Sequence, residues 1–316
     1  MKYRWSHCSV HLLLIVMVWL TGSIGIALSA QQAPGKPHRL LIVSSGDNPF
    51  FRRTIGQIRQ RLDGPLAEIV DLLSKDIEAR REQLAGASLI VTLGARAMRQ
   101  VSGLNLKRPL LHAYLTRYQY LSDPPLPGSH SLLLDQPLQR YLRFDRLLTG
   151  ARKVGLLNLP VAAFDEESLR RIGKREQLEL LQKVLQPEHA NPVAAVRQVL
   201  QKSDNLLAIP APEIYNRKTL KGILLAAYRL RKPVISYSPA HVRAGALGAL
   251  YATPEQIGDQ IADIALSWLQ GEAPAAPYSL ARYFEIDINR QVASALGMEP
   301  PERETLMQGI LAEARP

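Results

Sequence analysis

Cysteine is almost absent from this sequence, because Cys8 is the only one among 316 residues. A single cysteine cannot form an internal disulfide, and one cysteine with seven scattered histidines provides no zinc-finger or iron–sulfur ligand set. The sequence therefore predicts neither a structural metal nor another cofactor. Hydrophobic residues at 47% and charged residues at 21% lie near globular averages, which excludes collagen-like, low-complexity and wholly disordered chains.

The common catalytic motifs are missing as well. There is no Gly-x-Ser-x-Gly elbow, no Gly-x-x-x-x-Gly-Lys-Ser/Thr loop, no His-Glu-x-x-His pair and no Gly-x-Gly-x-x-Gly turn after the first apolar run. Asp259 and Asp263 are spaced to share one helical face, which is typical of solvated surface charge. His112 has no nucleophile at a suitable spacing, which favours a packed histidine over a general base. We expect the chain not to be an enzyme.

Acidic residues are outnumbered, since 28 Asp and Glu against 39 Lys and Arg give a net charge of +11. Such an excess can indicate binding to nucleic acid or to an anionic membrane surface. Here the basic residues occur in separate groups along the chain, and aromatic residues total only 6%, so no stacking platform accompanies them. The pattern favours a solvated basic surface, and we expect no nucleic-acid partner.

The first thirty residues have the order of a secretory signal peptide. Lys2 and Arg4 precede an apolar stretch at residues 10–28, which is interrupted by Thr-Gly-Ser and followed by small residues. This order predicts that residues 1–30 are cleaved and that the mature chain is secreted into the periplasm. The alternative is an uncleaved anchor helix, because the apolar stretch is almost long enough to span a bilayer.

From residue 38 onward, apolar runs of strand length alternate with helical stretches, including a long helix predicted at residues 166–181. Strands are predicted at residues 39–44, 67–72, 88–93, 109–114, 131–135, 153–157, 206–209 and 233–236. Continuous apolar strands separated by helices indicate an α/β fold with parallel sheets covered on both faces. We predict two lobes, with residues 38–131 and 249–280 in the first and residues 132–248 and 281–316 in the second.

Ligands of open parallel sheets gather where strands end and helices begin, because helix N-termini present free N–H groups. Six segments meet this condition, namely residues 44–48, 92–96, 114–117, 158–161, 210–213 and 236–240. Two facing sets, one from each lobe, would form a cleft suited to a small anionic or zwitterionic ligand. The competing interpretation is structural, since Gly94 could serve only close packing and the serines could serve only as helix caps.

Four segments of the second half carry a family resemblance. Lys-Pro-Val-Ile-Ser precedes Gly-Ala-Leu within residues 232–251, and Ile-Gly-Asp-Gln-Ile-Ala begins at Ile257. Leu-Gln-Gly-Glu follows at residues 269–272, and Asn-Arg-Gln-Val-Ala-Ser-Ala-Leu-Gly ends at Gly297. Their order and spacing resemble the ABC-transporter substrate-binding family that includes the tryptophan-type TrpX proteins. The resemblance implies a type I periplasmic binding protein, in which two doubly wound parallel-sheet lobes, joined by three crossings, hold a ligand in the cleft between them.

The same resemblance implies a set of ligand contacts, carried over by position. These residues are Ser44, Ser45, Thr92, Gly94, Ala95, Thr116, Asn158, Ser236 and Ser238. In one place the chain departs from the family. Many relatives have an aspartate that can hold a ligand ammonium after the strand that ends at Ile209, whereas this chain has Pro-Ala-Pro there, with Glu213 displaced. The implied ligand is an amino acid or another small anion.

The function implied by the resemblance is capture of a small organic ligand by hinge closure, without any chemical reaction. The chain would act as a monomeric periplasmic solute-binding protein of an ABC-type uptake system, with an inner-membrane ABC permease as its partner. The alternative is a periplasmic solute sensor, or an accessory protein of a sensor kinase or an outer-membrane receptor, that takes no part in transport.

Overall fold

The computed structural model describes residues 38–64, 67–186 and 191–312, and Pro37–Pro316 forms one compact unit. The predicted signal peptide, residues 1–30, lies outside the described residues. No helix within the described ranges is long and apolar enough to cross a membrane.

Strands and helices alternate along the described chain. The strands are β1 (His38–Ser44), β2 (Ala67–Leu73), β3 (Leu89–Leu93), β4 (Leu110–Leu115), β5 (His130–Leu133), β6 (Lys153–Asn158), β7 (Glu179–Val184), β8 (Asn205–Leu207), β9 (Val234–Ser236), β10 (Gly248–Tyr251), β11 (Tyr278–Leu280) and β12 (Glu285–Ile288). The α-helices are α1 (Pro49–Leu62), α2 (Arg81–Ala85), α3 (Ala95–Gly103), α4 (Arg117–Ser122), α5 (Leu138–Thr149), α6 (Glu166–Glu176), α7 (Pro192–Leu200), α8 (Leu220–Arg229), α9 (Pro239–Arg243), α10 (Pro254–Leu269), α11 (Arg290–Ala295) and α12 (Arg303–Ala312).

The first sheet has the strand order β11-β5-β4-β3-β1-β2, and its strands pair in parallel. Successive side chains of a strand point to opposite faces, so the apolar run of β1 fills two cores. Leu40 and Ile42 pack with residues of α1 and α10 on one face, and Leu41 and Val43 pack with residues of α3 on the other. The continuous apolar run thus marks a strand covered on both faces, as predicted.

The second sheet has the order β12-β10-β9-β8-β6-β7 and is parallel except for the pairing of β10 with β12. Successive side chains of its strands again point to opposite faces, so this sheet also has a core on each face. Leu156 and Leu207 pack on the face covered by α5, whereas Leu157 and Leu206 pack on the face covered by α7 and α8. The predicted fold class, two mostly parallel sheets with helices on both faces, is confirmed.

The described chain passes between the two sheets at three places. After β5 it enters α5 of the second core, after β10 it enters α10 of the first core, and after β11 it enters β12 of the second sheet. Residues 132–133 therefore belong to the first sheet and residues 249–251 to the second, whereas the sequence analysis had assigned them the other way round. Both differences lie next to a crossing, where periodicity does not show which sheet a strand joins.

The long helix predicted at residues 166–181 is wrong in its last five residues. Helix α6 ends at Glu176 because Gln177 adopts the left-handed conformation, with φ of +57°. The chain then turns into β7, which pairs with β6 at the edge of the second sheet. Gly173 permits this turn, because a Cβ on it would lie 2.4 Å from the carbonyl oxygen of Leu178.

Candidate functional site

A narrow cavity lies where the carboxyl ends of strands from the two sheets face each other. Its lining comes from Arg117, Tyr118 and Asp135 beside the first sheet, and from Asn158, Leu159, Ala162, Ile209, Pro210 and Ala211 beside the second. A wider groove, between α6 and α7 over β7, is formed by the second half alone and joins no strand ends across the two sheets. The narrow cavity is therefore the better candidate for a site that closes around a ligand.

Arg117, the first residue of α4, connects the two sides directly. Its guanidinium donates a hydrogen bond from Nη1 to the carbonyl oxygen of Ala162 and lies 4.8 Å from the centre of the Phe164 ring. Both partners belong to the segment that follows β6. The arginine thus spans the cavity and combines a hydrogen bond with a cation–π contact.

Asp135 supplies the carboxyl group of the cavity. Its side chain is only 7% exposed, and its Oδ2 accepts a hydrogen bond of 2.7 Å from the backbone N–H of Arg117. Burial raises the pKa of Asp135 to about 7, although this hydrogen bond and the positive charge of Arg117 both act to lower it. The carboxyl group therefore changes charge near neutral pH.

Asn158, at the end of β6, is the predicted ligand residue that lines the cavity. Its Nδ2 donates a hydrogen bond of 2.7 Å to Oε1 of Gln182 on β7. The same amide of Gln182 bonds both backbone groups of Phe164, accepting from N–H at 2.9 Å and donating to the carbonyl oxygen at 2.8 Å. Gln182 thereby fixes the position of Asn158 and of the ring on which Arg117 lies.

The predicted residues around α3 form a tight turn between strand and helix. Ser45 Oγ accepts a hydrogen bond of 3.0 Å from the backbone N–H of Ala97, in the first turn of α3. Gly94 has φ of +92°, and a Cβ there would lie 2.7 Å from the same Oγ. Ser44 is buried and donates a long hydrogen bond of 3.4 Å to the carbonyl oxygen of Leu72, while Ala95 begins α3. The structure thus supports the capping role for Ser45 and the packing role for Gly94.

Thr92 is fully buried inside the first sheet. Its Oγ1 lies 2.8 Å from Nδ1 of His112, the paired residue on β4. Burial, with a smaller effect from His130, lowers the pKa of His112 to about 4, so this histidine is neutral at physiological pH. The hydroxyl of Thr92 is therefore hydrogen-bonded to His112 inside the first sheet.

Thr116 caps α4 and so helps to position Arg117. Its Oγ1 accepts a hydrogen bond of 3.2 Å from the backbone N–H of Gln119, whose side chain in turn accepts one of 3.1 Å from the backbone of Thr116. This reciprocal capping box fixes the start of the helix.

Ser236 and Ser238 lie at the end of β9. The buried Oγ of Ser236 is 2.6 Å from Nδ1 of His241, whose pKa is lowered to about 4 by burial. Ser238 Oγ accepts a hydrogen bond of 3.3 Å from the backbone N–H of Ala240 and caps α9. Both hydroxyls therefore have partners within their own half of the molecule.

Of the predicted site residues, the structure places Asn158 at the cavity and the others at strand ends or helix caps. Arg117, Asp135, Phe164 and Gln182 were not predicted individually as site residues. Arg117 lies within the predicted segment 114–117, so a signal for it is present in the sequence. For Gln182 there is no such signal, because no strand is predicted at β7 and the predicted helix covers its first three residues.

The chain is similar to proteins of a known family and to solved structures. The family model described as "ABC transporter substrate binding protein" matches residues 140–308. No curated protein matches significantly. Among solved structures, a ligand-free, open substrate-binding protein with adhesive properties from Clostridium difficile is 16% identical, with a TM-score of 0.62, over 84% of this chain and 97% of that one.

Two further solved structures have the same fold. An ABC domain from Streptococcus pneumoniae in complex with L-Trp is 16% identical, with a TM-score of 0.57, over 85% of this chain and 98% of that one. A conserved domain protein from Vibrio cholerae is 18% identical, with a TM-score of 0.56, over 89% of this chain and 99% of that one. The described chain has the type I periplasmic binding fold that the sequence resemblance implied.

Proposed function

Because the chain belongs to the family of ABC transporter substrate-binding proteins, we propose that it is the periplasmic solute receptor of an ABC uptake system and captures a small organic ligand between its two sheets. The observation that carries the proposal is the cavity between opposing strand ends, lined by Arg117 and Asp135 on one side and by Asn158 on the other. Residues from both sides would contact one ligand.

Capture would proceed by hinge closure about the three crossings. A ligand that contacts both sides favours the closed state, because the open state lacks one half of its contacts. The bond from Arg117 to Ala162 can form only while the two sides are close together. The hydrogen bond between Arg117 and Ala162 would therefore form on closure and break on opening.

The ligand would be an amino acid or another small anion. Arg117 offers a guanidinium suited to a carboxylate, and the carboxyl group of Asp135 could accept a hydrogen bond from an ammonium group. Pro210 and Ala211 form an apolar wall where many relatives have an aspartate. Asp135 would supply a carboxyl group from the opposite side of the cavity. The L-Trp bound to the Streptococcus pneumoniae protein is consistent with this ligand class.

The remaining expectations complete the proposal. The protein would bind its solute as a monomer, deliver it to an inner-membrane permease, catalyse no reaction and bind no nucleic acid. Its route to the periplasm would be the signal peptide predicted at residues 1–30.

A thermal-shift screen of the Pro37–Pro316 unit against amino acids, aromatic acids and other small anions tests the proposal. A bound solute raises the melting temperature by mass action. For a solute found in this way, Arg117→Ala should weaken binding by about tenfold or more, because a charge-assisted contact is lost. The matched control is Arg108→Ala, an exposed arginine just before the amino end of β4. Absence of any binder in the panel, or equal affinities for wild type and Arg117→Ala, would contradict the proposal.

A further inference from the structure

The part of the second half that contains α7 and α8 carries a concentration of positive charge that the proposed function does not use. Between residues 192 and 232, which contain α7 and α8, the sequence has eight Lys and Arg but only two acids, Asp204 and Glu213. The eight are Arg197, Lys202, Arg217, Lys218, Lys221, Arg229, Arg231 and Lys232. Neither helix contains an acidic residue. Predicted as dispersed surface charge, these residues lie on and beside two adjacent helices, with Arg197 on α7 and Lys221 and Arg229 on α8.

These basic residues differ from the arginines of α1, which have carboxylate partners. None of the eight forms an ion pair with any residue in the described ranges. On α1, by contrast, each of the four arginines pairs with an aspartate or glutamate. Asp204 interacts electrostatically with Lys232, and its Oδ2 accepts hydrogen bonds from the backbone N–H groups of Arg152 and Lys153, but it forms no ion pair with the basic residues of α8.

Two large apolar side chains of α8 stand exposed among these charges. Leu225 is 45% exposed and Tyr228 is 61% exposed, although both lie on a helix whose other face is packed in the core. With Lys221 they occupy positions i, i+4 and i+7 of α8, so they form one stripe along the helix. The α8 face, which we define as Lys218, Lys221, Leu225, Tyr228 and Arg229, therefore combines apolar anchors with unpaired cations.

We propose that the α8 face docks on the surface of a bilayer that contains anionic lipids. Juxtaposed cations and apolar side chains suit such a surface, because the cations meet lipid headgroups while Leu and Tyr enter the boundary with the acyl chains. Tyrosine is enriched at this depth because its ring is apolar and its hydroxyl is polar. The face is one exposed side of a helix, and two of its three cations are flexible lysines, which favours mobile headgroups over a protein partner with fixed carboxylates.

The sequence gives a second reason to expect a membrane nearby. Whether residues 1–30 act as a signal peptide or as an uncleaved anchor, they bring the chain to a bilayer. Docking through α8 would then hold the body at that surface, on a side of the second sheet distinct from the cavity at the strand ends. The inference does not depend on the ligand or on transport.

Flotation with lipid vesicles tests the proposal, using the Pro37–Pro316 unit so that the apolar stretch at residues 10–28 does not contribute. Vesicles of phosphatidylcholine with about 30% phosphatidylglycerol should bind this unit, pure phosphatidylcholine vesicles should not, and added salt should weaken binding. Lys218→Gln/Lys221→Gln/Arg229→Gln should reduce partitioning about tenfold or more. Leu225→Ser/Tyr228→Ser should also reduce it, since the apolar anchors are removed.

The matched control is Lys75→Gln/Arg80→Gln/Arg81→Gln, which removes the same charge from exposed positions near the first sheet. It should bind vesicles almost as well as the wild type, and all variants should keep the wild-type melting temperature, because the changed side chains are exposed. Failure of the wild type to bind phosphatidylglycerol vesicles overturns the proposal, even if a protein partner binds the same face. An equal loss in the control overturns it as well, because binding would then follow net charge alone.

Discussion

At the residue scale, the site depends on charged groups that are held by backbone contacts. Asp135 is buried against the start of α4, where the backbone N–H of Arg117 donates to it. The same arginine extends its guanidinium across the cavity to Ala162 and Phe164. Arg117 and Asp135, which follow adjacent strands of one sheet, are therefore joined by a hydrogen bond at the cavity.

The raised pKa of Asp135 predicts a specific dependence of stability on pH. An aspartate titrates near 3.9 in the unfolded chain and near 7 here, so the folded state favours the protonated form. The free energy of unfolding should fall as the pH rises from about 4 to about 7. In this range the unfolded chain has released the proton of Asp135 while the folded chain still holds it, so rising pH favours the unfolded state. In Asp135→Asn, the decrease in unfolding free energy over this pH range should be smaller by roughly 1–3 kcal/mol.

Urea unfolding of wild type and Asp135→Asn across this pH range measures the difference. Asp145, another buried carboxyl with its pKa raised to about 7 by burial, is present in both proteins and so cancels in the comparison. Parallel curves of unfolding free energy against pH for the two proteins would show that Asp135 does not titrate in this window.

At the element scale, apolar runs gave reliable strands, because a strand buried on both faces must be apolar throughout. The prediction from the sequence missed a strand that is only partly covered. β7 lies at the edge of its sheet with half-exposed side chains, so its pattern continued that of α6. Residues that shape the cavity were hard to select for a related reason, since Gln182 lies on this strand and Arg117 looks like any arginine that follows a helix cap.

The boundary between α6 and β7 predicts a stabilising substitution. Gln177 is exposed and adopts φ of +57°, a conformation that costs less for glycine than for other residues. Gln177→Gly should therefore raise the free energy of unfolding by about 0.5–1 kcal/mol. Gln201→Gly is the matched control, because Gln201 also follows a helix and is exposed but has φ of −64°, so glycine there should lower stability. Chemical denaturation compares the two, and destabilisation by both would show that the turn does not limit stability.

At the scale of the whole unit, three crossings join two sheets whose strand ends face one another. The order of strands and helices was readable from the sequence, whereas the sheet that receives β5 and β10 was not, because this depends on contacts between residues far apart in the chain. In the proposed function these crossings act as the hinge about which the two halves separate and close, with both cores kept intact.

Distance measurement between spin labels on the two halves tests this claim most directly. The Pro37–Pro316 unit has no cysteine, so Gln100→Cys on α3 and Glu167→Cys on α6 provide two unique, exposed labelling sites. On addition of the solute found by thermal shift, the distribution of distances should become shorter and narrower. A distribution that stays unchanged at saturating solute would contradict closure around a bound ligand.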